Sequence, residues 1–274
     1  MNIYICGDLH GKYNTIQNFY NNNILKTERE REENWVICLG DFGAQFDFGK
    51  RDYGFKSKLS EYPFKYFVIR GNHEKRASVR AECCEEPGVW EEIEIFGNTC
   101  LRETAFSNIY YALDEGGVYN IDGRKVLVIP GAYSVDKNYC LQNHWAWFAD
   151  EQMFFDERRK LEKIAEGHHF DFVFSHTCPY SMRPTDLFLP FVIQDEVDNT
   201  MEFWMDELKE KMTYNVWCWG HYHADRIEAP GCEMFYKNVC SLYEIEDRWR
   251  RYREDGKLDW WLNKGPNFYM FVNK

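Results

Sequence analysis

Residues 2–11 read NIYICGDLHG. Four apolar residues, Ile3 to Cys6, run without polar alternation. The run is too short for a packed helix and suits a strand covered on both faces. Gly7 then lets the backbone turn, and Asp8-x-His10 follows. The same grammar returns four times along the chain: WVICLGD (35–41), FKYFVIRGNH (64–73), FDFVFSH (170–176) and NVWCWGH (215–221). Each is an apolar, β-branched or aromatic run that ends in Gly, Asp, Asn or His.

Helix-compatible stretches separate these runs: residues 13–33, 150–167 and 201–212. In the second, Met153, Phe154, Leu161 and Ile164 are spaced to face a core. Strands alternating with helices imply an α/β fold. Residues 108–131 break the rhythm. Turn signals at Glu115-Gly116-Gly117 and Asp122-Gly123 predict successive hairpins there, and so a second sheet packed on the first. The charge run at 28–32 reads as a solvated helix end. RWRRYRED (248–255) reads as a surface helix that buries Trp249 and Tyr252.

The bulk numbers restrict the function classes. The 274 residues carry a formal net charge of −12, which argues against long nucleic acid and anionic membrane as partners. No run approaches the length of a membrane helix, and the N-terminus lacks a signal-peptide pattern, so a cytoplasmic location is expected. The ten cysteines include no CxxC pair. Cys6, Cys38 and Cys218 sit inside apolar runs, and they read with Cys178 as buried thiols in a reducing compartment.

The polar residues at the strand ends form a constellation. They are Asp8, His10, Asp41, Asn72, His73, Glu74, His176, His221 and His223. In open α/β sheets the carboxyl edge of the strands is where ligands bind. Five of the eight histidines lie in these turns. The other three, His144, His168 and His169, read as surface or loop residues. Imidazole nitrogens with carboxylate and carboxamide oxygens suit borderline divalent ions such as Mn²⁺, Fe²⁺ and Zn²⁺. The i, i+2 spacing of Asp8/His10 and of His221/His223 lets each pair face one site in extended chain.

Taken in order, GDLHG (7–11), GD (40–41), GNHE (71–74), SHTCP (175–179) and GHYH (220–223) resemble the signature of the calcineurin-like metallophosphoesterase superfamily. PGAYSVDK (130–137) is similar to a stretch of uncharacterised bacterial and phage members. The resemblance implies a four-layer αββα sandwich, two mixed β-sheets flanked by helices. It also implies two divalent metal ions, with Mn favoured over Fe or Zn. The first would be held by Asp8, His10, Asp41 and His223. The second would be held by Asp41, Asn72, His176 and His221, so that Asp41 bridges the pair. His73 would be the general acid, and hydroxide formed between the ions would attack a phosphate ester.

The protein Ser/Thr phosphatases of this superfamily continue the second block as G-D-x-x-D-R-G. Here it runs GDFGAQF, without the second Asp or the phosphate-clamping Arg; Arg70, Arg76 and Arg183 are candidate substitutes. A small-molecule or nucleotide ester is therefore expected, mono- or diester. A protein phosphatase, a nuclease, a cyclic-nucleotide phosphodiesterase and a non-catalytic scaffold are the alternatives. Asp136 and Lys137 are candidate substrate contacts or a solvent turn. Trp145, Trp147 and Phe148 are expected to fill the core between the sheets, with lining of a groove as the alternative. The chain is expected to be one domain over 1–274. Its core would span about 1–240, and an extension at about 241–274 would pack back through Trp260, Trp261, Phe268 and Tyr269.

Overall fold

The computed structural model describes residues 1–25, 33–84 and 88–256, and the backbone of a two-residue strand at Tyr269–Met270. The charge run at 28–32 and the side chains of Trp260, Trp261, Phe268 and Tyr269 lie outside the described residues.

The chain builds β1 (Asn2–Cys6), α1 (Asn14–Phe19), β2 (Asn34–Cys38), α2 (Lys50–Leu59), β3 (Phe64–Val68) and α3 (Ala77–Glu82). It continues through β4 (Trp90–Ile95), β5 (Asn98–Glu103), β6 (Ile109–Ala112), β7 (Gly117–Ile121) and β8 (Arg124–Ile129). Then come α4 (Lys137–Gln142), α5 (Phe155–Ala165), β9 (His169–Ser175), α6 (Thr200–Lys211) and β10 (Thr213–Trp219). The last elements are β11 (Arg226–Ala229), β12 (Cys232–Met234), β13 (Val239–Ser241), α7 (Leu242–Asp255) and β14 (Tyr269–Met270). One sheet has the order β13-β1-β2-β3-β6-β5-β4, and the other has β12-β10-β9-β8-β7 with β11 and the short β14 at its edge.

Both are mixed sheets, and helices cover their outer faces, so the expected four-layer αββα sandwich forms. Strand alternation explains why. Ile3, Ile5, Trp35, Ile37, Phe67 and Ile69 point inward and meet Phe172, Phe174 and Cys218 of the other sheet. Their neighbours Tyr4, Cys6, Val36, Cys38, Tyr66 and Val68 point outward onto Ile16, Phe19, Phe55 and Leu59 of α1 and α2. On the second sheet Leu127, Val173, Trp217 and Trp219 meet Leu161, Met201, Trp204 and Leu208 of α5 and α6. A strand apolar on both faces is thus a strand between two cores. Cys6, Cys38, Cys178 and Cys218 are fully buried within this packing.

Several local expectations fail for identifiable reasons. The turn at Glu115-Gly116-Gly117 is not a hairpin. β6 pairs with β3 and β5, whereas β7 pairs with β8, so this turn carries the chain from one sheet to the other. Gly116 adopts φ 74°, but a positive φ fixes the turn and not the partner of the next strand. Of the four residues expected on one helix face at 150–167, Met153 and Leu161 are buried. Phe154 is 54% and Ile164 48% exposed, because α5 begins only at Phe155 and Met153 packs from the preceding loop. Trp145 does not fill the core between the sheets; it is 57% exposed. Only Phe148 of that trio is buried, and Lys137 lies over the Trp147 ring.

Helix α7 wedges into the inter-sheet core. Leu242, Ile245 and Trp249 face the sheets, while Arg248 and the Trp249 indole both donate to the buried carboxylate of Glu233 on β12. Truncating Trp249 would leave a large cavity and strand one Glu233 oxygen. Trp249→Ala is expected to lower the unfolding free energy by about 3–5 kcal/mol, whereas Ile164→Ala should stay within about 0.5 kcal/mol. Midpoints of guanidinium unfolding check the pair.

Candidate metal centre

The carboxyl ends of β1, β2 and β3 bring Asp8, Asp41 and Asn72 side by side. The ends of β9 and β10 bring His176 and His221 against them from the other sheet. Main-chain bonds lock the blocks together. The amides of Leu9 and His10 donate to the Asp41 carbonyl, at 3.1 and 2.7 Å. The His221 amide donates to Asp8 Oδ1 at 3.0 Å, and the His73 amide donates to Asp41 Oδ1 at 2.9 Å. Each carboxylate is gripped through one oxygen and offers the other inward.

Those inward oxygens meet a ring of imidazoles. Asp8 Oδ2 lies 3.2 Å from His223 Nε2 and 3.8 Å from His10 Nε2. Asp41 Oδ2 lies 3.8 Å from His10 Nε2 and 3.5 Å from His176 Nε2. Asn72 Oδ1 sits 2.8 Å from His176 Nε2 and 3.1 Å from His221 Nδ1. His10, Asp41, His221 and His223 have φ of 47°, 47°, 66° and 53°, in the left-handed region that non-glycine residues seldom occupy. Such strain persists only where the surroundings impose it, and it concentrates at functional sites. Close approach explains two motif glycines. A Cβ on Gly71 would lie 2.1 Å from Asp41 Oδ1, and one on Gly220 would lie 2.3 Å from Asp8 Oδ1.

Residues 1–225 match the calcineurin-like phosphoesterase family. The chain belongs to that family. Among solved structures, a protein of unknown function from Aquifex aeolicus is 12% identical, with 90% of this chain and 98% of that chain covered at a TM-score of 0.37. A phosphopantetheinyl hydrolase from Mycobacterium tuberculosis is 15% identical, with 94% of each chain covered at a TM-score of 0.35. No curated protein matches significantly.

The residues of this phosphoesterase fit a divalent cation on their own chemistry. Asp8 with His10 and His223, and Asp8 with Asp41 and His176, each present ligand atoms close enough to hold one ion. Asp8 Oδ2 is buried and faces imidazole nitrogens, His223 Nε2 at 3.2 Å and His10 Nε2 at 3.8 Å. His10 Nε2 and His223 Nε2 face each other at 2.8 Å, so at most one proton separates two lone-pair donors. Burial, reinforced by His176, pushes His221 well below the usual imidazole range, and burial also lowers His10. Both therefore stay neutral donors at neutral pH. Burial opposes charge on Asp41, but His176, His73 and His10 outweigh it and hold its carboxyl well below the usual range.

Supporting residues lie farther off in sequence. Asn72 Nδ2 donates to Ser134 Oγ at 2.8 Å, and Ser134 donates in turn to the buried Glu151. That relay fixes which way the Asn72 amide points. Sequence reading missed it; the only signal was Ser134 within the PGAYSVDK stretch. Glu74 does not face His73. It accepts from the amides of Gly43, Ala44 and Gly71, and burial pushes its carboxyl up to about 7. The carboxylate near His73 is Asp136, with Oδ2 at 3.7 Å from His73 Nε2. Of the candidate phosphate clamps, Arg70 is buried against Asp114 and the Glu151 carbonyl, and Arg76 against Glu157; neither reaches the centre. Among the described residues no helix is long and apolar enough to cross a membrane.

His176 donates from Nδ1 to the Leu39 carbonyl at 2.7 Å, leaving Nε2 between two acceptors. Burial disfavours its charge, but the Asp41 carboxylate prevails and pushes the pKa up to about 9. A raised pKa means a proton held at neutral pH, which His176 must release when a cation binds. Apparent Mn²⁺ affinity of the metal-free protein should therefore rise with pH and level off above about 9. Calorimetry at pH 7 in buffers of different ionisation enthalpy should register proton release.

Proposed function

We propose that this protein is a dinuclear, metal-dependent phosphoesterase that hydrolyses a phosphate mono- or diester of a small molecule or nucleotide. One observation carries the reading: donor atoms from five distant turns converge on one spot, where the buried Asp8 Oδ2 faces His223 Nε2 at 3.2 Å and the Nε2 atoms of His10 and His223 meet at 2.8 Å. Asp8, His10, Asp41 and His223 would hold one ion, and Asp41, Asn72, His176 and His221 the other. Asp41 Oδ2 lies 3.8 Å from His10 Nε2 and 3.5 Å from His176 Nε2, so it would be available to both ions. Nitrogen and oxygen donors without thiolate favour Mn²⁺, with Fe²⁺ and Zn²⁺ as alternatives.

Two divalent cations there supply Lewis-acid polarisation of the phosphoryl oxygens and an activated water. The chain's own residues do the rest. His73 is held by its amide on Asp41 Oδ1, with its ring beside His10. From there its imidazole can give a proton to the departing oxygen. Asp136 Oδ2 lies 3.7 Å from His73 Nε2, near enough to stabilise a positive charge on the ring. The glycine-backed turns hold the carboxylates rigid, so little reorganisation accompanies charge development. Ten free cysteines support a reducing, cytoplasmic location.

His73→Gln should keep full metal content and lose activity by about 100- to 10,000-fold. Asp41→Asn should lose bound metal as well as activity. Metal analysis of the purified variants and Mn²⁺-supported hydrolysis of p-nitrophenyl esters check both. Wild-type activity in either variant would remove the assigned roles.

A further inference from the structure

The candidate centre sits at the junction of two cavities, both more apolar than polar in their lining and each carrying charged side chains. Asp41, His73, Asp136 and His223 line both. The smaller, about 280 Å³, is walled by the irregular segment between β9 and α6. Leu187, Phe188, Leu189, Val192 and Val197 face it, with Tyr222 opposite. The larger, about 630 Å³, carries Lys12 and Arg51 beside Phe46, Trp145 and Tyr236. Arg51 lies over the Phe46 ring, and Tyr236 stacks on His223.

A phosphomonoester has one substituent and a dianionic end that wants a guanidinium clamp. Here Arg70 and Arg76 are committed elsewhere. Arg183 lines the smaller cavity, stacked on Tyr180 and bonded to Asn199. Two cavities meeting at one centre match a phosphorus that bears two substituents. Ligand pockets usually span about 300–1,000 Å³, so the smaller cavity takes a ring or a short chain rather than a macromolecule. Exposed Leu187 and Leu189, with half-buried Phe188, Val192 and Val197 beside them, are apolar surface that a substrate can cover.

Building on the phosphoesterase reading, we propose that the substrate is a phosphodiester. Its apolar ring or short chain enters the pocket of residues 187–197, and its polar or anionic half lies along Lys12 and Arg51. Water adds to phosphorus, one P–O bond breaks, and the leaving oxygen takes a proton, so atoms balance without a further reactant.

The test uses the full chain loaded with Mn²⁺. First, kcat/KM for bis-p-nitrophenyl phosphate should exceed that for p-nitrophenyl phosphate. Second, competitive inhibition by two hydrolysis-resistant anions should differ: methyl(phenyl)phosphinate is expected to bind about tenfold tighter than dimethylphosphinate, the scale of one buried ring. Val192→Asp and Phe188→Ala should each collapse that ratio towards one. Preference for the monoester, or a phenyl advantage absent or insensitive to both substitutions, would overturn the proposal while leaving the phosphoesterase reading intact. Hydrolysis of neither ester by metal-replete protein would overturn that reading and this one with it.

Discussion

Two carboxylates, Asp8 and Asp41, are each held through one oxygen by a main-chain amide from another turn. The rest of the site depends on that grip. The amide of His221 belongs to the second sheet, yet it bonds Asp8 of the first, so this contact sets how the sheets meet at their carboxyl edge. It also demands close backbone approach, which Gly71 and Gly220 permit, and left-handed conformations at four polar residues. Those costs, of order 1–3 kcal/mol for each strained residue, are sustained by three continuous apolar cores. Burial of aromatic and branched strands on both faces makes the scaffold stiff enough to hold them.

The electrostatics follow from the same arrangement. Two carboxylates buried together would repel each other unless positive charge lies between them. In the protein alone, a proton on His176 supplies part of that charge, and neutral His10 and His221 offer lone pairs around it. A cluster that concentrates acceptors so heavily suits a cation. The acidic surface of the chain does not contradict an anionic substrate, since the field that matters is local.

The sequence reveals the parts of this design that rest on chemistry-bearing residue types in fixed short spacings. Asp8-x-His10 and His221-x-His223 stand out because few other reasons place such residues after an apolar run. Doubly covered strands were legible because they lack polar alternation. Other features depend on contacts that no local pattern encodes. Gly116 signals a turn but not that β7 joins a different sheet. Helix α2 was not anticipated: Gly54 sits within it and charged Asp52 and Lys56 occupy its buried face, so no apolar period marks it. Asp136 and Ser134 reach the centre from 62 or more positions beyond Asn72, and the wall at 187–197 is irregular chain with no periodicity to read. Trp145 takes the groove-lining alternative to core packing: its ring is exposed and lines an opening.

The central claim is a pair of cations sharing the Asp41 carboxylate. Electron paramagnetic resonance during Mn²⁺ titration of metal-free protein tests it most directly. With the carboxylate shared, the six-line signal of isolated ions gives way to an exchange-coupled spectrum as the second equivalent binds. A mononuclear signal that persists at saturation, or failure to retain Mn²⁺ at all, would contradict it.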